Sequence, residues 1–148
     1  MKNKKIFSYF LAFIIPMLIM VLLYMIVGIY PFGSKTVLTV DLQNQYVEFF
    51  SAFKDIVQNG GNIFYSFSKT LGGNMYGLIC YYLLSPFNII LLLFSKANII
   101  DAVFLINVLK IGFCGLTSFI YFDKTFKYKT SVSFMFSICY SLMAYNIV

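Results

Sequence analysis

The chain has 148 residues, of which 61% are apolar, 20% are aromatic and only 11% are charged. An average soluble domain is about 45–50% apolar and about 25% charged, so this composition indicates an integral membrane protein. The net charge of +6 comes from lysine alone, because arginine and histidine are absent. The lysines flank apolar runs, which is typical of membrane topology and argues against nucleic acid as a partner.

The first long apolar run covers residues 6–30 and predicts a membrane-spanning helix. It exceeds the ~20 residues needed to cross a bilayer and the roughly 7–15 residues of a signal-peptide core. Lysines 2, 4 and 5 precede it, so the positive-inside rule puts the N-terminus in the cytoplasm and the first loop outside. We therefore expect a multi-pass protein of the cytoplasmic membrane.

Residues 31–74 are predicted as an outside loop that contains an amphipathic helix over residues 42–58. The apolar positions recur every three or four residues, which is the period of one helix face. They are Leu42, Tyr46, Phe49, Phe50, Phe53, Ile56 and Val57. Asp41 is expected to open this helix and Asn59-Gly60-Gly61 to close it. A helix of this kind would lie in the membrane interface rather than cross the membrane.

The end of the same loop, residues 64–74, mixes aromatics, hydroxyls, Lys69 and a Gly-Gly pair. One interpretation is an interfacial aromatic belt followed by a turn. The other is a shaped loop whose backbone amides and Lys69 face an anionic ligand. The residues alone leave both open.

Residues 75–94 are apolar and long enough to span, but Pro86 interrupts them. If they crossed once, the next helix would return outward and leave Lys124, Lys127 and Lys129 on the exterior, against the positive-inside rule. We therefore expect a re-entrant or interfacial segment bent at Pro86, with a spanning helix as the alternative.

Residues 99–122 predict another spanning helix, with Lys110 near its centre. An unpaired lysine at that depth costs about 2.5–3.5 kcal/mol on insertion scales. We expect it to face a polar cavity beside Asn107, or else to pair with a carboxylate on another helix. Residues 131–148 predict the start of a truncated spanning helix, so the chain is expected to be the N-terminal part of a larger polytopic protein.

Ligand spacing predicts no metal site. The cysteines at 80, 114 and 139 lie in apolar runs without a Cys-x-x-Cys pair, which excludes structural zinc for practical purposes. The cofactor is therefore unknown. A divalent cation held partly by Asp41 stays open.

Three segments carry a family resemblance: Asp41-Leu42-x-x-Gln45-Tyr46-x-x-Phe49-Phe50, Phe64-Tyr65-Ser66-Phe67-Ser68-Lys69-x-Leu71-Gly72-Gly73-Asn74-Met75, and Tyr81-Tyr82-Leu83-Leu84-Ser85-Pro86-Phe87-Asn88. They resemble the N-terminal region of the YfhO family, large bacterial membrane proteins similar to glycosyltransferases of the GT-C fold. The resemblance implies an all-α membrane protein, this chain being the N-terminal part of a polytopic GT-C-like helical bundle. It also implies a polyprenyl-phosphate sugar donor, membrane lipid around the site, and a cell-envelope polymer such as teichoic acid as acceptor.

The resemblance further implies a general base in the first outside loop, and Asp41 is the matching position. The alternative role of Asp41 is that of a helix N-cap. A cation should stabilise the departing phosphate, and Lys69 and Lys110 are the candidates. The other expected substrate contacts are Gln45, Tyr46 and Asn74.

Two other functions compete with sugar transfer. The first is a transporter or flippase-like protein in which Lys110 and the break at Pro86 line a pathway. The second is an inactive truncated product, because a chain that ends inside a span cannot complete a helical bundle.

Overall fold

The computed structural model describes residues 2–37, 45–67 and 71–147, with side chains from Lys5 to Asn146 within those ranges. The described chain is mainly helical and has two helices long and apolar enough to cross a membrane, which confirms the predicted all-α membrane fold. Its helices are α1 (Lys2–Val27), α2 (Val47–Asn59), α3 (Met75–Leu78), α4 (Ile99–Tyr121), α5 (Thr130–Ser141) and α6 (Ala144–Ile147). Its two short strands are β1 (Tyr65–Ser66) and β2 (Gly73–Asn74). Contacts divide the chain into a helical unit, residues 1–35 with 107–148, and a loop unit, residues 36–106.

The first candidate span is the Lys5–Val27 part of α1. The prediction that this helix reaches residue 30 was wrong. Gly28 has a φ of +73°, a left-handed conformation that glycine adopts readily and that commonly ends a helix. The chain then folds back on itself, because the Tyr30 N–H donates to the Lys35 carbonyl at 2.7 Å.

The second candidate span covers Lys96–Phe126 and consists mainly of α4. Within the helical unit, α1 and the end of α4 run antiparallel. Three pairs of side chains in contact show this: Lys5 with Asp123, Phe13 with Phe113, and Tyr24 with Asn107. The start of α1 and the end of α4 therefore lie at the same end of the unit.

Helices α1 and α4 lie close together beside Pro16. Proline has no N–H, so the carbonyl of Ala12 loses its donor within the helix. Gly115 of α4 lies against that carbonyl, and a Cβ added there would overlap the Ala12 oxygen and come within 2.7 Å of Pro16 Cγ. Only glycine permits this contact, as is common where helices pack in membranes.

Helix α5 packs against α1 in the helical unit and presents small side chains. Ser133, Ser137 and Ser141 are spaced four residues apart and are fully buried. The hydroxyls of Ser137 and Ser141 donate to carbonyls three residues back in their own helix. Residues 131–148 were predicted as the start of a spanning helix, and the described part of this range contains α5, which ends at Ser141, and α6, which begins at Ala144.

The loop unit is built around a bent pair of helical segments, Met75–Leu83 and Pro86–Leu93, whose axes differ by 102°. The first is α3 extended by a π-helical turn, and the second is a 3₁₀ helix that Pro86 opens. The bend lies at Pro86, where the sequence predicted a break. The buried Asn88 links the two segments across the bend, because its Nδ2 donates to the Leu83 carbonyl at 3.1 Å. This bond occupies a carbonyl that the interrupted helix would otherwise leave without a partner.

Helix α2 lies against the bent pair and covers the loop unit's core. It begins at Val47, after a helical turn over residues 45–46, and ends at Asn59, where Gly60 is the C-cap with a φ of +72°. Its C-terminal end agrees with the predicted range of 42–58, while residues 42–44 lie outside the described chain. The buried core of this unit consists of Phe50, Met75, Leu78, Leu83, Leu91, Ile99, Ala102, Val103 and Ile106.

Candidate functional site

The described parts of the three motif segments pack together in the loop unit. Tyr46 of the first segment contacts Tyr82 of the third with ring centroids 5.0 Å apart, and Phe49 contacts the same ring at 5.2 Å. The second segment joins them through Met75, which belongs to the same buried core as Phe50 of the first segment and Leu83 of the third. Segments separated by up to about 40 residues therefore form one packed structure.

The second motif segment forms a hairpin in which β1 pairs with β2 in antiparallel register, Tyr65 opposite Asn74. Asn62 starts it by accepting the N–H of Phe64 at 2.8 Å. Gly72 closes it with a φ of +94°, and a Cβ there would overlap the Tyr65 hydroxyl. The Gly72 position therefore requires glycine for its backbone conformation, whereas the Tyr65 side chain could move aside.

The hairpin carries large apolar side chains that the loop unit does not bury. The exposed fractions are 70% for Phe64, 83% for Phe67 and 93% for Leu71. This exposure agrees with the interfacial aromatic belt of the sequence analysis. The alternative, a loop whose backbone amides and Lys69 face an anion, falls on residues 68–70 and lies outside the described chain.

Asn74 has a clear structural role. Its Oδ1 accepts the Gly77 N–H at 3.0 Å, so Asn74 is the N-cap of α3. Tyr46 contacts the other end of the same helical segment through Tyr82. Gln45 precedes Tyr46 and is exposed. Tyr46 and Asn74 therefore contact the two ends of the segment Met75–Leu83. The Gln45 side chain is exposed and can meet a ligand.

The expected general base, Asp41, lies outside the described residues, as does Lys69. Their position is therefore a prediction from the sequence alone. On the C-terminal side of Asp41, the described chain resumes with a helical turn at Gln45 and continues into α2 at Val47.

Lys110 belongs to the helical unit, on α4, and is partly exposed. Neighbouring Asn107, one turn earlier, is hydrogen-bonded to the Tyr24 side chain of α1. The ion pairs within the described ranges are Lys5–Asp123 and Lys96–Asp55, so Lys110 has no carboxylate partner there. A lysine inside a span without such a partner is typical of a residue that meets water, a ligand or another protein segment.

Lys54 is a buried cation that the sequence analysis missed. It lies on α2 one turn after the buried Phe50, and only 6% of it is exposed. Its Nζ has one hydrogen-bond acceptor among the described residues, the Leu91 carbonyl at 3.5 Å. The neighbouring Asp55 pairs instead with Lys96 at 2.6 Å. Sequence spacing could have indicated that Lys54 is buried, because Lys54 lies four residues after Phe50 and therefore on the same face of the helix.

The described residues contain no group of three or more His, Cys, Asp or Glu side chains that could hold a metal ion. The Asp41 carboxylate falls outside that comparison. A divalent cation at Asp41 stays a prediction from the sequence.

A scan against protein families matches residues 12–148 to the family described as bacterial membrane protein YfhO. The chain belongs to the YfhO family. The match covers all three motif segments and both candidate spans apart from the first turns of α1. No curated protein and no solved structure matches the chain.

Proposed function

We propose that this YfhO-family chain is the N-terminal part of a membrane glycosyltransferase of the GT-C type. The enzyme transfers a sugar from a polyprenyl-phosphate donor to a cell-envelope polymer, such as teichoic acid, on the outer face of the bacterial cytoplasmic membrane. The observation that carries the proposal is the packing of the three motif segments around the bent helical pair. The aromatic surface of the hairpin beside it suits a site at the lipid headgroups, where a lipid-linked donor presents its sugar.

The antiparallel packing of α1 and α4 supports a topology with the motif segments outside. If both helices cross the membrane, the chain leaves the membrane after α1 and re-enters it before α4 on the same side. The bent pair Met75–Leu83 and Pro86–Leu93 then does not cross as a single span, and its 102° bend suits a re-entrant or interfacial segment. The basic start of the chain and Lys124, Lys127 and Lys129 then face the cytoplasm.

Cysteine accessibility tests this topology. In a background without Cys80, Cys114 and Cys139, cysteines placed over residues 95–98 should react with a membrane-impermeant maleimide in intact cells. A cysteine at Thr125 is the matched control and should react only after permeabilisation. If the cysteines at 95–98 also react only after permeabilisation, the segment crosses the membrane and the proposed topology is wrong.

In this proposal Asp41 takes the proton of the acceptor hydroxyl while the sugar is transferred and the donor phosphate departs. Lys69 and Lys110 are the candidate cations for the charge that develops on the phosphate. Gln45 lies four residues after Asp41 in sequence, and its side chain is exposed. Tyr46 and Asn74 shape the surface of the loop unit through their contacts with the segment Met75–Leu83.

Substitution of Asp41 by Asn in the full-length protein tests the assignment. Asn caps helices about as well as Asp, so the fold should be retained while the base is lost. General bases contribute about 10²–10⁴-fold to rates, so we expect sugar incorporation into the polymer to fall by at least about 100-fold. The matched control is Asp55→Asn, which makes the same chemical change on the exposed side of α2. Activity should be retained in this control.

Transfer at the wild-type rate by the Asp41→Asn protein would contradict the role of Asp41 as base. An equal loss in Asp41→Asn and Asp55→Asn would also contradict it, because a change common to both variants reflects the stability of the loop and not the chemistry. Normal membrane levels of each variant, measured by immunoblot, exclude loss of the protein as the cause.

The transporter or flippase-like alternative is supported by one observation, the absence of a described carboxylate partner for Lys110 inside a span. The two functions differ in their product. A transferase attaches labelled sugar covalently to the polymer, whereas a flippase changes only the side on which the lipid-linked sugar is found. Reconstitution with a labelled donor lipid and separate assays for both products distinguishes them.

A further inference from the structure

The helical unit contains an open cleft at the end of α4, formed by residues that the proposed sugar transfer does not use. Its volume is about 450 Å³, and small-molecule sites typically measure about 300–1,000 Å³. The residues that line it are Lys5, Asp123, Lys124, Lys127 and Tyr128. Three of these five side chains are cationic and one is anionic.

The charges of the cleft favour an anion. Lys5 and Asp123 pair at 3.3 Å and neutralise each other. Lys124 and Lys127 are exposed, and neither pairs with a carboxylate in the part of the chain that the structure describes. Two uncompensated ammonium groups therefore face the cleft, three residues apart in sequence, and each can donate to a phosphate oxygen.

The surroundings of the cleft place it at the depth of lipid headgroups. Tyr121, Phe122 and Phe126 form a cluster of ring contacts with centroid distances of 5.7–6.1 Å, and Phe126 stacks on Tyr128. Aromatic residues at the end of a spanning helix mark the interface between hydrocarbon and water. The cationic cleft therefore lies where a phospholipid carries its phosphate.

An exposed aromatic surface adjoins the cleft. Tyr121, Phe126 and Tyr128 are 45–55% exposed, and Tyr128 itself lines the cleft. Acyl chains would lie along this surface when a headgroup occupies the cleft. The combination of a cationic cleft and an adjoining apolar face matches an amphiphile and not a free inorganic anion.

We propose that this cleft binds the headgroup of an anionic phospholipid in the leaflet where α1 begins. Its phosphate lies between Lys124 and Lys127, and its acyl chains lie along the exposed rings of Tyr121 and Phe126. A zwitterionic headgroup binds less well, because its ammonium group meets the same lysines. The proposal does not depend on the enzymatic function or on Asp41.

Lipid titration of the purified full-length protein, followed by native mass spectrometry in detergent, tests the proposal. Phosphatidylglycerol is the anionic probe and phosphatidylcholine the zwitterionic one. A lysine near a membrane surface strengthens the binding of anionic lipid about fivefold, so Lys124→Gln/Lys127→Gln should weaken phosphatidylglycerol binding about 25-fold. The matched control is Lys35→Gln/Lys96→Gln, which removes the same charge from exposed positions outside the cleft and should bind phosphatidylglycerol like the wild type.

Two outcomes would overturn the proposal. In the first, both double variants lose affinity equally, which would mean that phosphatidylglycerol responds to net charge and not to the cleft. In the second, an excess of inorganic phosphate or glycerol phosphate displaces phosphatidylglycerol from the wild type, which would make the cleft a site for soluble anions. Equal unfolding temperatures of the two double variants ensure that their comparison reports on binding.

Discussion

The helical unit and the loop unit pack by different means. In the helical unit, α1, α4 and α5 meet at small residues such as Gly112, Gly115 and the buried serines of α5. In the loop unit, α2 and the bent pair meet through large side chains, among them Phe50 and Met75. Side-chain hydrogen bonds where a helix is interrupted, such as that from Asn88 Nδ2 to the Leu83 carbonyl, add to this packing.

The physical reason for this difference is the solvent. Lipid tails are as apolar as leucine, so large apolar side chains gain little by leaving lipid, and helices associate through close backbone approach. Where water is present, the burial of large apolar side chains is itself favourable. The contrast between the units therefore predicts which substitutions each one tolerates.

The largest effect is expected at Gly115. Replacement by Leu would force α1 and α4 apart at Pro16, because the added Cβ overlaps the Ala12 carbonyl, which cannot move without the helix. Overpacking of a tight contact costs about 1–3 kcal/mol and sometimes more, and we expect about 3 kcal/mol here. The measurement is the free energy of unfolding of the purified protein in mixed micelles as the fraction of denaturing detergent rises.

The alanine variants Gly115→Ala and Gly112→Ala compare the free energy of unfolding at two glycines of α4. The nearest atoms to a Cβ at Gly112 are Sδ and Cγ of Met17 and a ring atom of Phe13. These side chains can move, so Gly112→Ala should cost less than Gly115→Ala. Equal effects of the two alanine variants would show that backbone contact does not determine the packing of this unit.

A smaller loss is expected at Asn88 in the loop unit. Asn88→Ala removes the donor to the Leu83 carbonyl and leaves that carbonyl buried at the bend. An unsatisfied buried polar group costs about 1–3 kcal/mol, so we expect a loss of about 2 kcal/mol in the free energy of unfolding. Hydrogen exchange should rise locally over the bent pair.

Asn59→Ala is the control for Asn88. Asn59 is exposed at the end of α2, and its side-chain bond to Asp55 is 3.4 Å long. We expect a change within about 0.5 kcal/mol, as is usual for surface substitutions. If Asn59→Ala and Asn88→Ala have the same effect, the bend does not depend on the Asn88 bond.

Much of the fold was predictable from the sequence because the strongest signals are local. Uninterrupted apolar runs predicted the two candidate spans, and Pro86 predicted the bend. The end of α1 was misplaced by three residues, since the apolar run continues past the left-handed Gly28. The break after Ser141 has no proline or glycine to mark it, so its prediction would have required knowledge of the packing.

The candidate site was less predictable. The contact of Tyr46 with Tyr82 joins residues that are far apart in sequence, and the family resemblance of their two segments did not indicate that they touch. The cap formed by Asn74 was missed because the capped helix, α3, is one turn long. The buried Lys54 was missed for a different reason: sequence patterns assign charged residues to the exposed face of an amphipathic helix.

The smallest expected effect, and a gain, comes from Lys54→Met. Methionine has a similar length, and replacement of a buried charge by an apolar side chain is often neutral or stabilising by about 1–4 kcal/mol. The Leu91 carbonyl at 3.5 Å is a weak acceptor for an ammonium, so we expect a gain of about 1 kcal/mol in the free energy of unfolding. Lys96→Met, at a half-exposed lysine paired with Asp55, should change that free energy by less than about 1 kcal/mol. A clear loss of stability in Lys54→Met would show instead that the ammonium has a stabilising partner in the folded protein, and the contrast between the two units would then include a buried ionic contact.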